Sequence, residues 1–487
     1  MNDDLYTILS FLPVFSLGVI SLLKNIKYAS IISFIITAIL FFLWGNSVSF
    51  FGASLIVSSI STLNILMIVF GALFLYHVME QSMIIEEIKL SLYQIHPSKE
   101  ILFFFIIISL TGFFEGVAGF GTPGAIVPVI LISLGFNPII SVASVLLLDG
   151  LFSAFGAVGT PLIAGMQSTL KLTQGSYKII GLYSALILSL VGIFLLLFIF
   201  HIYQREYGKM KYKKEVWLLY GFFFTPFILF SWLATELSTV LASVFMITFS
   251  ILYLSKGKVK IKPWYPYIIL VVMLLLPKMS YSLNDVLSFE VKLENLLNTG
   301  ISTSFQPLKS PLIPFLIVGL LVIIAYQIKS VNLNSLFDRV VGVFLVLFPI
   351  ISVSQMMLNS GSVNSSMINL ISHSFAHSGN FYLIISPFIG MVGSFITGST
   401  TVSNIVFSSS QLEIANILSF NSEVILSLQH SGATIGNAIC LFNIIAAGSV
   451  AGIKDENKIL KLVIKPSLVA GLIIGLFGFI LLSFLKI

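Results

Sequence analysis

The sequence has little charge and almost no cysteine, and each shortage excludes a class of protein. Only 9% of its 487 residues are charged, whereas a soluble domain carries about 25%. With 57% hydrophobic residues and a mean hydropathy of +1.07, the chain is too apolar to fold around a water-soluble core. Cys440 is the only cysteine, which excludes an intrachain disulfide and a cysteine metal cluster. A basic leader is also missing, so the apolar run after Asp3 and Asp4 is predicted to be a first spanning helix rather than a signal peptide.

What the sequence has instead is a series of apolar runs near the length that spans a bilayer. Counting half-length pieces, we predict about 12 to 14 transmembrane segments. The predicted fold is an all-α polytopic membrane protein, a single integral membrane domain over residues 1–487 in the plasma (cytoplasmic) membrane. Basic residues sit in short loops, most densely between Arg205 and Lys214, which the positive-inside rule assigns to the cytoplasm. The net charge of +6 therefore indicates loop lysines and not a nucleic-acid partner.

Two long windows, Glu100–Leu170 and Val340–Ile453, contain no lysine or arginine. In each window a membrane-depth run is interrupted by small and polar residues, at Thr111–Gly124 and at Gly393–Asn404. Irregular backbone at membrane depth is tolerated only where protein or a wet cavity satisfies its polar groups. These interruptions predict broken or re-entrant helices.

The two windows also resemble each other. Short matches occur in the same order with an offset of roughly 280 residues, for example around Gly112 and Gly393, and around Asn137 and Asn421. We therefore predict two inverted repeats with cores at about 100–170 and 385–453. Paired interrupted segments in the two halves of a transporter are the best sequence pointer to its binding site.

Two acidic residues in the first window are candidate proton carriers. Glu115 lies inside the interrupted segment, where a carboxylate costs about 2.5–3.5 kcal/mol on insertion scales. The alternative is a helix-end carboxylate bonded to glycine amides. Asp149 follows an apolar run and is either a second proton site or the cap of the next short helix.

The candidate substrate-binding residues are glycines and neutral polar side chains. Glycines admit close approach of backbone N–H groups, and a helix start offers a positive dipole end, so an anion can bind without a basic residue. Such a site suits a small, singly charged carboxylate. The alternatives are tight helix packing for the glycines and bonds within or between helices for the polar groups. The candidates are Gly119, Gly121, Thr122, Ser399, Thr400, Thr401, Ser403, Asn404, Gln429, Asn437 and Asn443.

Several of these segments resemble the signature motifs of the lactate permease family. The matching motifs are Phe114–Pro123, Ala154–Gly159, Gly393–Ser399, Val402–Asn404, Gly436–Asn437 and Asn443–Ala447. The resemblance covers most of the chain and is most specific around Glu115. It implies a proton-coupled symporter for L-lactate, D-lactate or glycolate. The chain departs from the family pattern at Asp149 and Thr400, where asparagine is usual, and a new acid near the site puts substrate and proton stoichiometry in question.

The predicted function is therefore import of lactate or a related 2-hydroxy monocarboxylate by proton symport, with Glu115 and Asp149 in proton coupling. No enzymatic activity, metal or cofactor is expected; the partners are the substrate, protons and the bilayer, and homo-oligomerisation stays open. One alternative is a sodium- or proton-coupled carrier for another organic anion. An alternative from a different class is a membrane-embedded enzyme that modifies lipid, which should place His/Asp clusters or phosphate-binding bases at a membrane face.

Overall fold

A computed structural model gives the architecture of the chain. It describes all residues except 1–2, 25, 85, 88–95, 118, 120, 168–169, 171, 255–261, 280, 288, 311, 329–330, 332–333, 363–364, 377 and 486–487. The fold is helical almost throughout, which confirms the predicted fold class.

The described residues of the first half of the chain form eleven helices. These are α1 (Asp3–Ser10), α2 (Leu12–Leu23), α3 (Ile26–Leu43), α4 (Val48–Gln81), α5 (Lys99–Val117), α6 (Thr122–Ser133), α7 (Pro138–Phe152), α8 (Gly156–Leu162), α9 (Gln174–Tyr207), α10 (Lys213–Leu233) and α11 (Ser238–Leu254). A 3₁₀ turn at Ser153–Phe155 joins α7 to α8, and a π-helical turn at Ile163–Gln167 follows α8.

The part of the second half that the structure describes adds ten helices and one small hairpin. The helices are α12 (Tyr265–Met279), α13 (Tyr281–Leu287), α14 (Leu312–Tyr326), α15 (Asn334–Asn359), α16 (Met367–Ala376), α17 (Tyr382–Thr397), α18 (Thr400–Ile417), α19 (Ser422–Ile439), α20 (Leu441–Val450) and α21 (Asn457–Leu485). Strands β1 (Val291–Leu293) and β2 (Thr303–Phe305) pair antiparallel, with Lys292 opposite Ser304.

Many of these helices are long and apolar enough to cross a bilayer. Within the described residues, seven pass that test alone, α19 and α20 pass as a pair bent by 42°, and five shorter apolar helices accompany them. Taken together, these segments agree with the predicted number. The chain is thus a multi-pass membrane protein, and its exposed apolar side chains, such as Leu197 and Ile324, face the lipid rather than water.

The helices fall into two packed groups. Helices α2, α3, α4, α14 and α15 pack on one another, whereas α5–α8 pack with α17–α20 through contacts of α7 with α19 and of α8 with α18. Helix α19 lies close along α17 because Gly432 and Gly436, one turn apart, leave room for the backbone at Pro387 and Met391. This second group contains both interrupted segments.

Corresponding turns in the two windows have the same construction. Asn137 caps α7 by accepting hydrogen bonds from the N–H groups of Ile139 and Ile140, and Asn421 caps α19 by accepting one from Val424. The residue two positions before each cap, Gly135 or Ser419, has a positive φ. Each window therefore contains a broken helix pair, an asparagine-capped turn and a second broken helix in the same order, as a duplicated unit requires; the inverted relation between the repeats stays a prediction.

The basic loop after α9 is held by a buried acid. The Glu100 carboxylate accepts hydrogen bonds of 2.9 Å from the backbone N–H groups of both Lys211 and Tyr212, at the start of α10. Negative charge is favourable at a helix start. This anchor fixes the predicted cytoplasmic end of α5, whose opposite end carries Glu115.

Candidate functional site

Three helix breaks meet in the middle of the second group. The first lies between α5 and α6, where Gly121 precedes α6 with φ +77° and Pro123 occupies its first turn. The second lies between α17 and α18, where Gly398 has φ +65° and the Ser399 hydroxyl caps α18 by accepting from Val402 N–H at 3.3 Å. The third is the turn between α7 and α8, which ends at the extended residue Gly156.

The breaks line a small, partly open cavity of about 40 Å³. Residues from all three breaks and one from the end of α19 form its wall: Glu115, Gly119, Gly121, Ser153, Gly156, Ala157, Thr160, Pro161, Gly398, Ser399, Thr400, Thr401 and Asn437.

The cavity wall is polar but contains no basic side chain. Its donors are hydroxyl groups, one amide and the backbone N–H groups at the starts of α6 and α18. A helix start carries the equivalent of about half a positive charge, and two of them face this cavity. The wall is therefore chemically suited to a small anion.

Glu115 sits in the last turn of α5 and reaches the third break. It is buried, with 4% of its surface exposed, and it lines the cavity. Its Oε1 lies directly over Gly156, where even a single added methyl group would overlap it. The glycine is thus required by the close approach of the acid, which lies at the end of α5 as both interpretations of Glu115 expected.

Asp149 lies behind this carboxyl group and forms a pair with it. It is 1% exposed in the last turn of α7, and its side chain interacts with that of Glu115. Its Oδ1 has no hydrogen-bond partner among the described residues. Two neighbouring carboxylates in a buried site repel each other strongly, which favours a proton on one of them.

The capping alternative for Asp149 is wrong. Helix α8 has Phe155 at its cap position with no side-chain hydrogen bond, while Asp149 stands inside α7 and is fully surrounded by protein. The acid that departs from the family pattern therefore belongs to the same carboxyl pair as Glu115.

The structure places the predicted substrate-binding residues in three groups. Gly119, Gly121, Ser399, Thr400, Thr401 and Asn437 line the cavity. Two others lie at its edge. Asn443 donates to Asn437 Oδ1 at 2.8 Å, and Thr122 begins α6 with a buried hydroxyl that has no partner among the described residues.

The remaining three predicted residues lie in a buried network and are absent from the cavity wall. Asn404 is completely buried and its amide donates to the Pro161 carbonyl at 3.0 Å and to His430 Nδ1 at 2.9 Å. Gln429 donates to Ser403 Oγ at 3.3 Å, and Ser403 donates to the Gly390 carbonyl. These groups thus link α18 to the backbone of α17 and α8.

His430 completes this network and was not among the predicted site residues. Its Nε2 lies 3.1 Å from the Ala154 carbonyl, which only accepts, so Nε2 carries the proton and Nδ1 accepts from the Asn404 amide. A neutral histidine thus joins the second window to the turn between α7 and α8. Its position one residue after Gln429 was visible in the sequence, but its partner in the other window was not.

Sequence analysis also missed Ser153 and Thr160 in the wall. The Ser153 and Thr400 hydroxyls lie 3.4 Å apart across two breaks, and the Thr160 hydroxyl donates to the Ala157 carbonyl at 2.6 Å. The signal available for both was the sequence Gly156–Pro161, whose two glycines and proline mark a third helix break.

Replacing Asn404 by alanine should lower stability more than it alters substrate affinity. The change leaves the Pro161 carbonyl and His430 Nδ1 without their buried donor, at about 1–3 kcal/mol for each group. We expect a lower thermal midpoint for the purified protein. The exposed Asn416 on the same helix supplies the control Asn416→Ala, which should keep the wild-type midpoint. Equal midpoints for the two variants would contradict the bridging role.

Comparison with known proteins shows where this architecture belongs. A model of the L-lactate permease family matches residues 5–485, nearly the whole chain. The chain belongs to this family. It is 29% identical over 409 residues to a putative L-lactate permease of Haemophilus influenzae, covering 74% of this chain and 76% of the relative. It is 28% identical to an L-lactate permease of Streptococcus iniae, over 73% of this chain and 79% of the relative.

A relative with a different named substrate also matches. The glycolate permease GlcA of Escherichia coli is 24% identical over 473 residues, covering 84% of this chain and 83% of the relative. The resemblance inferred from the motifs is confirmed. Membership of a permease family, together with the membrane-length helices, makes the chain a transporter and not the lipid-modifying enzyme considered as an alternative.

Proposed function

We propose that the chain imports lactate, or a related small 2-hydroxy monocarboxylate such as glycolate, by proton symport. The observation that carries the proposal is the carboxyl pair of Glu115 and Asp149 beside a cavity that two helix starts make favourable for an anion. Relatives named for lactate and for glycolate support the substrate class.

In this mechanism the substrate carboxylate binds at the start of α18. Backbone N–H groups and the hydroxyls of Ser399, Thr400 and Thr401 would hold it, with Asn437, oriented by Asn443, available for the 2-hydroxyl group. Gly119, Gly121 and Thr122 would supply the backbone of the opposite wall. Ser403, Asn404 and Gln429 act as positioning residues, because their hydrogen bonds hold the breaks in place.

The carboxyl pair would couple the proton to the anion. A carboxylate at Glu115 would repel a bound substrate anion strongly, because the buried site screens charge poorly. Binding of a proton to Glu115 removes that repulsion. The cavity with substrate then carries one negative charge fewer than it would with Glu115 ionised. We propose that the α5–α8 and α17–α20 group then moves against the other helices to expose the cavity on the opposite side.

The direct test is uptake of labelled L-lactate into proteoliposomes without a membrane potential. A pH difference of one unit, acid outside, is worth about 1.4 kcal/mol per proton and should support about tenfold accumulation for one coupled proton. A sodium gradient at equal pH should support none. Accumulation that follows sodium and ignores pH would favour the sodium-coupled alternative, and no uptake under either gradient would contradict the substrate.

Asp149→Asn should weaken the response to pH while preserving transport. Asparagine keeps a group that can hydrogen-bond to Glu115 but cannot titrate. We expect initial uptake rates to depend less steeply on external pH between about pH 5 and 8, at matched expression. The substitution leaves unaltered both Glu236, which packs at Gly159, and the neutral His430, which contacts the Ala154 carbonyl. Superimposable profiles for the two proteins would leave Glu115 as the only coupling acid.

A further inference from the structure

Ala157, in the cavity wall, has a backbone conformation that alanine seldom takes. Its φ is +45°, in the left-handed region, and it lies at the start of α8. The other non-glycine residues with positive φ among those described, such as Met83 and Ser419, lie in turns or loops between helices. A left-handed residue with a Cβ atom costs about 1–2 kcal/mol, and glycine would avoid that cost.

The Ala157 methyl group fills the gap between two breaks. Across the gap lies Gly119, whose φ is +61°, and a methyl group built on Gly119 would come within 2.9 Å of the Ala157 Cβ. The gap therefore holds one methyl group, from one side or the other. Ala157 is only 8% exposed, and the residual exposure faces the cavity that it lines.

This methyl group is unusual in a wall of glycines and polar groups. Among the lining residues, only Ala157 and Pro161 present a purely apolar side chain, and Pro161 is held through its carbonyl by Asn404. A 2-hydroxy acid bound by its carboxylate and hydroxyl carries at C2 a hydrogen and one variable substituent, and the variable substituent needs an apolar neighbour. That substituent is a hydrogen in glycolate, a methyl in lactate and an ethyl in 2-hydroxybutyrate.

We propose that Ala157 determines substrate specificity by limiting the size of the substituent at C2. The inference rests on the proposed function, because it assigns a role within the same site. One methylene in a hydrophobic pocket changes discrimination by about 10- to 200-fold. Removing the Ala157 methyl therefore enlarges the space available to the substituent by about one methylene.

The test compares Ala157→Gly, the swapped double variant Gly119→Ala/Ala157→Gly, and wild type. The single variant should raise the kcat/KM for 2-hydroxybutyrate relative to lactate by about tenfold or more. The double variant returns a methyl group to the same gap and should restore the wild-type ratio. Uptake of each labelled acid into proteoliposomes under the same pH gradient gives these ratios.

Thermal stability supplies a second readout, because the thermal midpoint should change in opposite directions in Ala157→Gly and in a control variant. Ala157→Gly relieves the left-handed strain and should raise the thermal midpoint. Ala143→Gly, at a buried position inside α7 away from the cavity wall, should lower the midpoint and keep the substrate ratio. The proposal would be overturned if Ala157→Gly kept the wild-type ratio of kcat/KM for 2-hydroxybutyrate to kcat/KM for lactate. It would also be overturned if the variant failed to fold. If the wild-type protein took up none of the hydroxy acids, that result would instead contradict the proposed function.

Discussion

Glu115→Gln should abolish accumulation of lactate driven by a pH gradient and leave exchange of lactate across the membrane measurable. Glutamine keeps the shape of the side chain and its contact with Gly156, but it cannot bind and release a proton. Without the coupling proton, the internal lactate concentration can reach the external lactate concentration but cannot exceed it. For one coupled proton, the accumulation ratio should fall from about ten per pH unit to about one.

Glu413 provides a matched control for this experiment. It lies in the second window, which also lacks lysine and arginine, but its side chain is exposed on α18 and does not line the cavity. Glu413→Gln should accumulate lactate as the wild type does. Normal accumulation by Glu115→Gln, with the protein correctly inserted, would remove Glu115 from the coupling mechanism and leave Asp149 to be tested alone.

Gly398→Ala should eliminate transport by disrupting the break between α17 and α18. Gly398 has φ +65°, and a methyl group there would overlap the ring of Phe442 on α20. Strain of about 1–2 kcal/mol adds to an overlap that costs about 1–3 kcal/mol or more. We expect at least a tenfold loss of uptake per inserted molecule, because the start of α18 must shift and its N–H groups and hydroxyls move with it.

The control separates the strain from the overlap. Gly452 has a similar φ of +70°, but nothing lies within 4 Å of a methyl group built there. Gly452→Ala therefore adds the same backbone strain without the steric conflict and should retain most of the uptake. If both alanine variants transport equally well, packing of Phe442 against Gly398 has no role in holding the break.

The sequence was informative wherever a local rule determines the structure. The breaks near Gly121 and Gly398 follow from glycine and proline at membrane depth. The special position of Glu115 follows from the cost of a carboxylate within an apolar run. None of these predictions needed a partner from elsewhere in the chain.

Features that depend on contacts between the two windows could not be predicted from the sequence. The hydrogen bond from Asn404 to Pro161 joins residues 243 positions apart, and the approach of His430 to Ala154 spans 276. Sequence reasoning treated Asn404 as a ligand group because an amide can serve either purpose, and only the fold shows where its hydrogen bonds go. Likewise, the sequence could not show that Asp149 lies beside Glu115, so the interpretation of Asp149 as a helix cap stayed open until the fold was known.

The central claim is that the anion binds in the cavity where the helix breaks meet, and substrate protection of a thiol tests it most directly. Cys440 is the only cysteine and is fully buried, so an engineered cysteine provides the reactive thiol. Thr401→Cys places one in the cavity wall, and Ser304→Cys places one on exposed strand β2 as the control. We expect lactate at saturating concentration to slow modification of Thr401→Cys by a small thiol reagent at least tenfold and to leave Ser304→Cys unaffected. Equal modification rates of Thr401→Cys with and without lactate, in a protein that still transports lactate, would contradict the account and place the anion elsewhere.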